Sequence, residues 1–105
     1  MTTAKITVIK KMSMTDLYGD NPPVEINKKM VTPECDQLEL GQEFMLEDFN
    51  CPVGFCHWAF ADIQRDLVHI FFRGNYPWIK DKGCAVSCCT DGLRPVFFKI
   101  ERIED

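Results

Sequence analysis

Long apolar runs are missing from this chain, and so is any excess of positive charge. No stretch approaches the roughly 20 consecutive apolar residues that span a bilayer as a helix, so no membrane partner is expected. Twelve Lys and Arg against sixteen Asp and Glu leave a formal charge of −4 and a pI near 5.1. No broad positive field exists to gather phosphates, and nucleic acid is not an expected partner either. That leaves a small molecule or a protein. The amino terminus, MTTAKITVIKKM, lacks the continuous apolar stretch and small-residue cleavage site of a secretory leader, so a cytoplasmic location is expected. Histidine is scarce, with His57 and His69 alone. Any Cys-His or Ser-His arrangement must therefore use one of these two, and no serine sits in a nucleophile-elbow context. The six glycines are scattered singly, without a phosphate-cradling pattern. Internal repeats and low-complexity segments are absent, and 105 residues suffice for one hydrophobic core but not two. A single domain over 1–105 is expected.

Periodicity supplies the fold class. Residues 4–11, AKITVIKK, alternate and are rich in β-branched types, which predicts a strand. Polar residues broken by Asn21-Pro22-Pro23 and Thr32-Pro33 predict a long loop over 13–35, with 24–31 able to pair as an edge strand. Gly41 marks a turn before a short strand at 43–46. From Cys56 to about Phe72 the residues Phe60, Ile63, Leu67 and Ile70 recur at three- and four-residue spacing, the mark of an amphipathic helix. Arg73-Gly74 would end it, with Gly74 in the left-handed conformation. Residues 84–89 and 95–103 read as strands joined at Thr90-Asp91-Gly92, where Asp-Gly is a strong hairpin signal. The expected architecture is α+β: a small, mainly antiparallel sheet, one principal amphipathic helix and a C-terminal β-hairpin.

What the chain has in plenty is cysteine, six in 105 residues. In a reducing compartment such thiols bind metal, act in catalysis or lie buried, more often than they form disulfides. Their spacings, Cys51-x4-Cys56 and Cys84-x3-Cys88-Cys89 with Cys35 upstream, contain no C-x2-C zinc knuckle. Cys56 falls at the start of the predicted helix, where free N–H groups favour a thiolate. Cys84 and Cys88 share one strand face and Cys89 points to the other unless a bulge re-aims it. Three readings follow. Cys35, Cys56, Cys88 and Cys89 could hold zinc or an iron–sulfur cluster, as soft ligands do, or three thiolates could act with His57. In a metal-free thiol enzyme, Cys56 would be the nucleophile and Cys88 or Cys89 the resolving thiol, with Arg94 or His57 stabilising the thiolate. Buried reduced thiols in a binding or structural module need no chemistry at all.

Other candidates carry ordinary structural explanations alongside functional ones. Asp62, Arg65, Asp66 and His69 fall on one helix face, which is usually a solvated stripe; Asp62 is the member expected to be half buried with a partner. Trp58, Tyr76 and Trp78 fit a pocket wall or core filling. Asp91 and Arg94 fit hairpin architecture, and Arg94 also fits an anionic ligand.

The stretches K-I-T-V-I-K-K at 5–11, G-F-C-H-W-A-F-A-D-I-Q-R at 54–65, P-W at 77–78 and C-C-T-D-G-L-R-P-V-F-F-K-I-E-R at 88–102 resemble a family of small cysteine-containing prokaryotic proteins common in anaerobes. The resemblance covers most of the chain. It implies a site at Cys56, Cys88 and Cys89 with Cys35, treats Cys51 and Cys84 as less characteristic, and implies no particular reaction.

Overall fold

The computed structural model describes residues 3–21, 23 and 34–103, and the candidate edge strand at 24–31 lies outside them. The alternating opening segment forms β1, Thr3–Lys11, with Ala4, Ile6 and Val8 buried on one face. A register shift between Val8 and Lys10 leaves Ile9 exposed. β1 pairs on one side with β2, Glu43–Leu46, and on the other with β4, Val96–Ile103; β4 pairs in turn with β3, Cys84–Cys88. All three pairings are antiparallel, and the strand order is β2-β1-β4-β3. Ile6 stands opposite both Phe44 and Ile100, and Ala85 opposite Ile100. The inner face is therefore a continuous apolar layer across four strands.

Helices cover that layer, but not as one rod. The segment expected to form a single helix divides into α2, His57–Asp62, and α3, Gln64–Phe71. The break falls at Ile63, whose φ of −91° and ψ of 4° lie in the bridge region. Ile63 is fully buried, and the Gln64 side chain donates to the Phe60 carbonyl at 2.9 Å. An uninterrupted helix would offer that carbonyl the Gln64 backbone N–H instead. The apolar spacing survives the break because Ala59, Phe60, Ile63, Leu67 and Ile70 still reach one core.

The end of α3 also differs from expectation. Arg73, not Gly74, adopts the left-handed conformation, with φ 68°. Gly74 N donates to His69 O at 2.7 Å and Arg73 N to Ile70 O at 3.1 Å, which is a Schellman closure. A side chain at 74 would overlap the His69 ring, so the glycine is required one position later than its usual place. Holding the non-glycine Arg73 in the left-handed conformation costs about 1–2 kcal/mol. Arg102, from the last turn of sheet, donates to Ile70 O at 3.1 Å and Gly74 O at 3.0 Å and so caps the helix across the core.

The 13–35 segment is not loop throughout. Ser13 and Asp16 form a reciprocal capping box that starts α1, Met14–Tyr18. These hydrogen bonds hold the Asp16 carboxyl below its ordinary value. The S-x-x-D spelling was visible in the sequence, but the short apolar content that follows gave no helical period. At the other end of the chain, β3 and β4 do pair, although Asp91-Gly92 makes no two-residue turn. Cys88 stands opposite Phe97, leaving 89–95 as a longer loop.

Candidate functional site

The 89–95 loop is held along its length, which gives the site a rigid wall. Asp62, at the end of α2, accepts from Thr90 N at 2.8 Å and from Thr90 Oγ1 at 3.0 Å. Asp91 Oδ1 accepts from Leu93 N at 2.9 Å and Arg94 N at 3.2 Å, and its Oδ2 lies 3.5 Å from Arg94 Nε. Tyr18 of α1 donates to Gly92 O at 2.6 Å. Pro95 O accepts from Met12 N at 2.9 Å. The helix missed in the sequence is thus one of the elements that positions this loop.

Between the loop and α2 lies a cleft of about 590 Å³. Cys35, Cys56 and Cys89 line it together with Leu38, Leu93 and Val96, and Trp58, Asp62 and Arg94 also contribute. Cys56 occupies the residue before α2, and its backbone carbonyl accepts from Phe60 N at 2.9 Å. Asp62 and the Thr90 it holds lie on the order of 9 Å further along, at the 1.5 Å rise of a helix. Trp58, which also lines the cleft, is 85% exposed.

The six thiols are free and divide by location. Cys35, Cys51, Cys56 and Cys89 are half buried and pack against the core. Cys84 is buried, while Cys88 is exposed and shares its strand face with Val86. Strand alternation sends Cys88 and Cys89 to opposite sides, and Cys89 alone of the two lines the cleft. Burial pushes the Cys84 and Cys89 thiols up; at Cys89 the Val96 and Asp91 N–H groups partly offset this by bonding to the sulfur. The Val96 N to Cys89 Sγ distance is 3.3 Å. Burial also raises the Cys51 thiol, with Cys56 contributing.

These placements predict a labelling order. Iodoacetamide should modify Cys88 readily in the native protein, while Cys84 and Cys89 resist until pH rises well above the ordinary thiol value of about 8.5. Peptide mapping between about pH 7 and about pH 10 checks this, and Cys84 reacting as fast as Cys88 would contradict it.

Of the other residues singled out, His57 is exposed and does not line the cleft. Asp62 is half buried with a partner as expected, and that partner is Thr90. Among the described residues, no three His, Cys, Asp or Glu side chains gather closely enough to hold a metal ion. The set Cys35, Cys56, Cys88 and Cys89 is not assembled, because Cys88 faces away. Nor is the Asp62–His69 stripe wholly solvated: Asp66 is buried, and Tyr76 Oη donates to its Oδ1 at 2.6 Å. Tyr76 is itself sandwiched between His69 and Trp78, with ring centroids at 4.3 and 4.9 Å. Among the described residues, no helix is long and apolar enough to cross a membrane. No protein-family model, curated protein or solved structure matches the chain.

Proposed function

We propose that this is a small thiol protein of a reducing, cytoplasmic setting, which admits a small electrophilic molecule to the cleft and attacks it with Cys56. The observation that carries this reading is the convergence of Cys35, Cys56 and Cys89 on one largely apolar cleft beside Arg94. Apolar walls exclude water and admit a small organic body, while a few polar groups orient it. Arg94, fixed by Asp91, supplies a guanidinium that suits an anionic end. Cys56 is favoured over Cys89 because burial pushes the Cys89 thiol up, an effect that the backbone N–H bonds to its sulfur only partly offset. A raised thiol is mostly protonated at neutral pH and is a poor nucleophile.

A soft metal, zinc or an iron–sulfur cluster, is the second reading, and one observation favours it. Backbone N–H bonds to a cysteine sulfur, as at Cys89, are the kind that orient and support a metal-bound thiolate. Cys35, Cys56 and Cys89 would be its ligands. It stands second because the described side chains do not form a closed donor set.

The test combines elemental analysis of protein purified without oxygen with competitive alkylation by limiting iodoacetate and iodoacetamide. Cys56 should be modified ahead of Cys35 and Cys89, with no stoichiometric metal. Arg94→Met should slow iodoacetate more than iodoacetamide by about two- to fivefold, the worth of one partly screened charge pair. One metal per chain with Cys35, Cys56 and Cys89 all protected would replace this reading with the metal one. Equal, sluggish labelling of the cleft thiols would remove both.

A further inference from the structure

Cys51 lies outside the cleft lining, yet its thiol packs against the turn that leads into Cys56, which lines it. Pro52 to Phe55 form a turn in which Phe55 N donates to Pro52 O at 3.1 Å. Gly54 takes φ 86°, as the third position of a type II turn requires. Val53 at its tip is fully exposed. Residues 51 and 56 are the two that flank this turn, so the chain reversal brings them side by side. The Cys51 thiol lies 3.7 Å from the Phe55 carbonyl oxygen, the group bonded directly to the Cys56 nitrogen. The two thiols are near enough for Cys56 to act electrostatically on Cys51, and a disulfide needs the Cα atoms to come within about 4.4–6.8 Å. Both residues are half buried on the core, so the pair is shielded while Cys56 keeps its cleft face.

The geometry points to Cys51 as the thiol that resolves an oxidised Cys56, forming a reversible disulfide across the 52–55 turn. This rests on the reading of Cys56 as the reacting sulfur and extends it to a class of co-substrate, a small peroxide. In the first step the Cys56 thiolate attacks the peroxide ROOH. A sulfur–oxygen bond forms, the O–O bond breaks, and one proton from solvent leaves with the oxygen as ROH, giving Cys56 sulfenic acid. In the second, the Cys51 sulfur attacks the sulfenic sulfur; the S–S bond forms and the hydroxyl leaves as water with the Cys51 proton. Two equivalents of a small thiol then return both cysteines to the reduced form and leave as their own disulfide. Cys88, on the opposite strand face and outside the cleft, has no such approach to Cys56.

Peptide mapping of the reduced full chain after one equivalent of hydrogen peroxide is the test, with a sulfenic-acid trap such as dimedone in a parallel sample. The expected main product is a single peptide with an internal disulfide between Cys51 and Cys56, two hydrogens lighter than its reduced form and returned to it by a small thiol. In Cys51→Ser that disulfide should disappear and dimedone capture at Cys56 should rise, whereas Cys88→Ser, outside the cleft, should leave both unchanged. Wild-type mapping needs no variant, and Cys51→Ala with a circular dichroism spectrum guards against a folding defect. Cys56 oxidised but joined to Cys89, joined to Cys35 or left unjoined overturns this inference alone. Cys56 untouched while other thiols oxidise overturns it together with the reading beneath it.

Discussion

Phe98→Ala is expected to destabilise the protein by about 3–5 kcal/mol, the usual range for removing a fully buried aromatic ring. Phe98 is fully buried in β4, which is hydrogen-bonded on both edges, to β1 and to β3. A strand pinned on both sides cannot move inward to fill the space, so most of the cavity should persist. The ring lies 5.3 Å from Phe55, which meets Phe44 edge-on at 4.8 Å and Phe60 at 6.0 Å. Phe55 is the residue before Cys56, so the cavity also loosens the entry to α2. Against a total stability of about 5–15 kcal/mol for a domain of this kind, a loss of that size should leave a visibly unfolded fraction. Urea denaturation measures it directly. Phe97→Ala, half exposed on the opposite face of the same strand, should cost distinctly less; equal costs would refute the one-sided sheet as the main store of stability.

The same sidedness explains what the sequence disclosed. Alternation in 4–11 and the apolar run expected as a strand at 95–103 mark the two central strands, observed at Thr3–Lys11 and Val96–Ile103, each with one face buried. The 3.6-residue spacing of Phe60, Ile63, Leu67 and Ile70 located the helical layer, since all four side chains are core. Periodicity records which side is buried and is blind to a local change of axis, so it missed the break at Ile63. Nor could it see the left-handed Arg73, or that Gly74 is needed where the His69 ring leaves no room for a side chain. α1 escaped because five residues are too few to show a period; only the Ser13–Asp16 box announces it.

At the cleft, chemistry was more legible than partnership. Cys35, Cys56 and Cys89 were singled out and do line one cleft, and Arg94 joins them. Strand parity already set Cys88 and Cys89 on opposite faces, and the loop keeps that separation because it begins only after Cys88. Contacts between residues far apart in sequence left no local trace. Asp62 to Thr90 and Tyr18 to Gly92 span 28 and 74 residues respectively, yet they fix the wall of the site. Tyr76 with Asp66 is a third such pair, and it leads to the last prediction.

Tyr76→Phe should cost about 1.5–3 kcal/mol at neutral pH, the range for a hydrogen bond to a charged group. Asp66 is 7% exposed and accepts from Tyr76 Oη at 2.6 Å; removing the hydroxyl strips a buried carboxylate of a short donor. Arg65 does not replace it, because its Nε stands 3.6 Å away on a side chain that is 88% exposed, where solvent screens the attraction. The variant should also change the alkaline limb of stability. Burial, then the Asp66 hydrogen bond and charge, raise the Tyr76 phenol above 10.0, with Arg65 opposing. A raised folded value means that the neutral phenol is favoured in the native state. Its stabilisation is complete below pH 10.0, the unfolded reference, and is lost as pH rises from there through the folded value. Cys51, Cys84 and Cys89 are raised from 9.0 and weaken the fold in the same direction from a lower pH. Wild type and Tyr76→Phe share those thiols, so the difference between their urea stabilities isolates the phenol. That difference should be constant up to about pH 9 and shrink above pH 10, because the variant has no hydroxyl to ionise. A gap that stays constant or widens through that range would mean that Tyr76 does not keep its proton for Asp66.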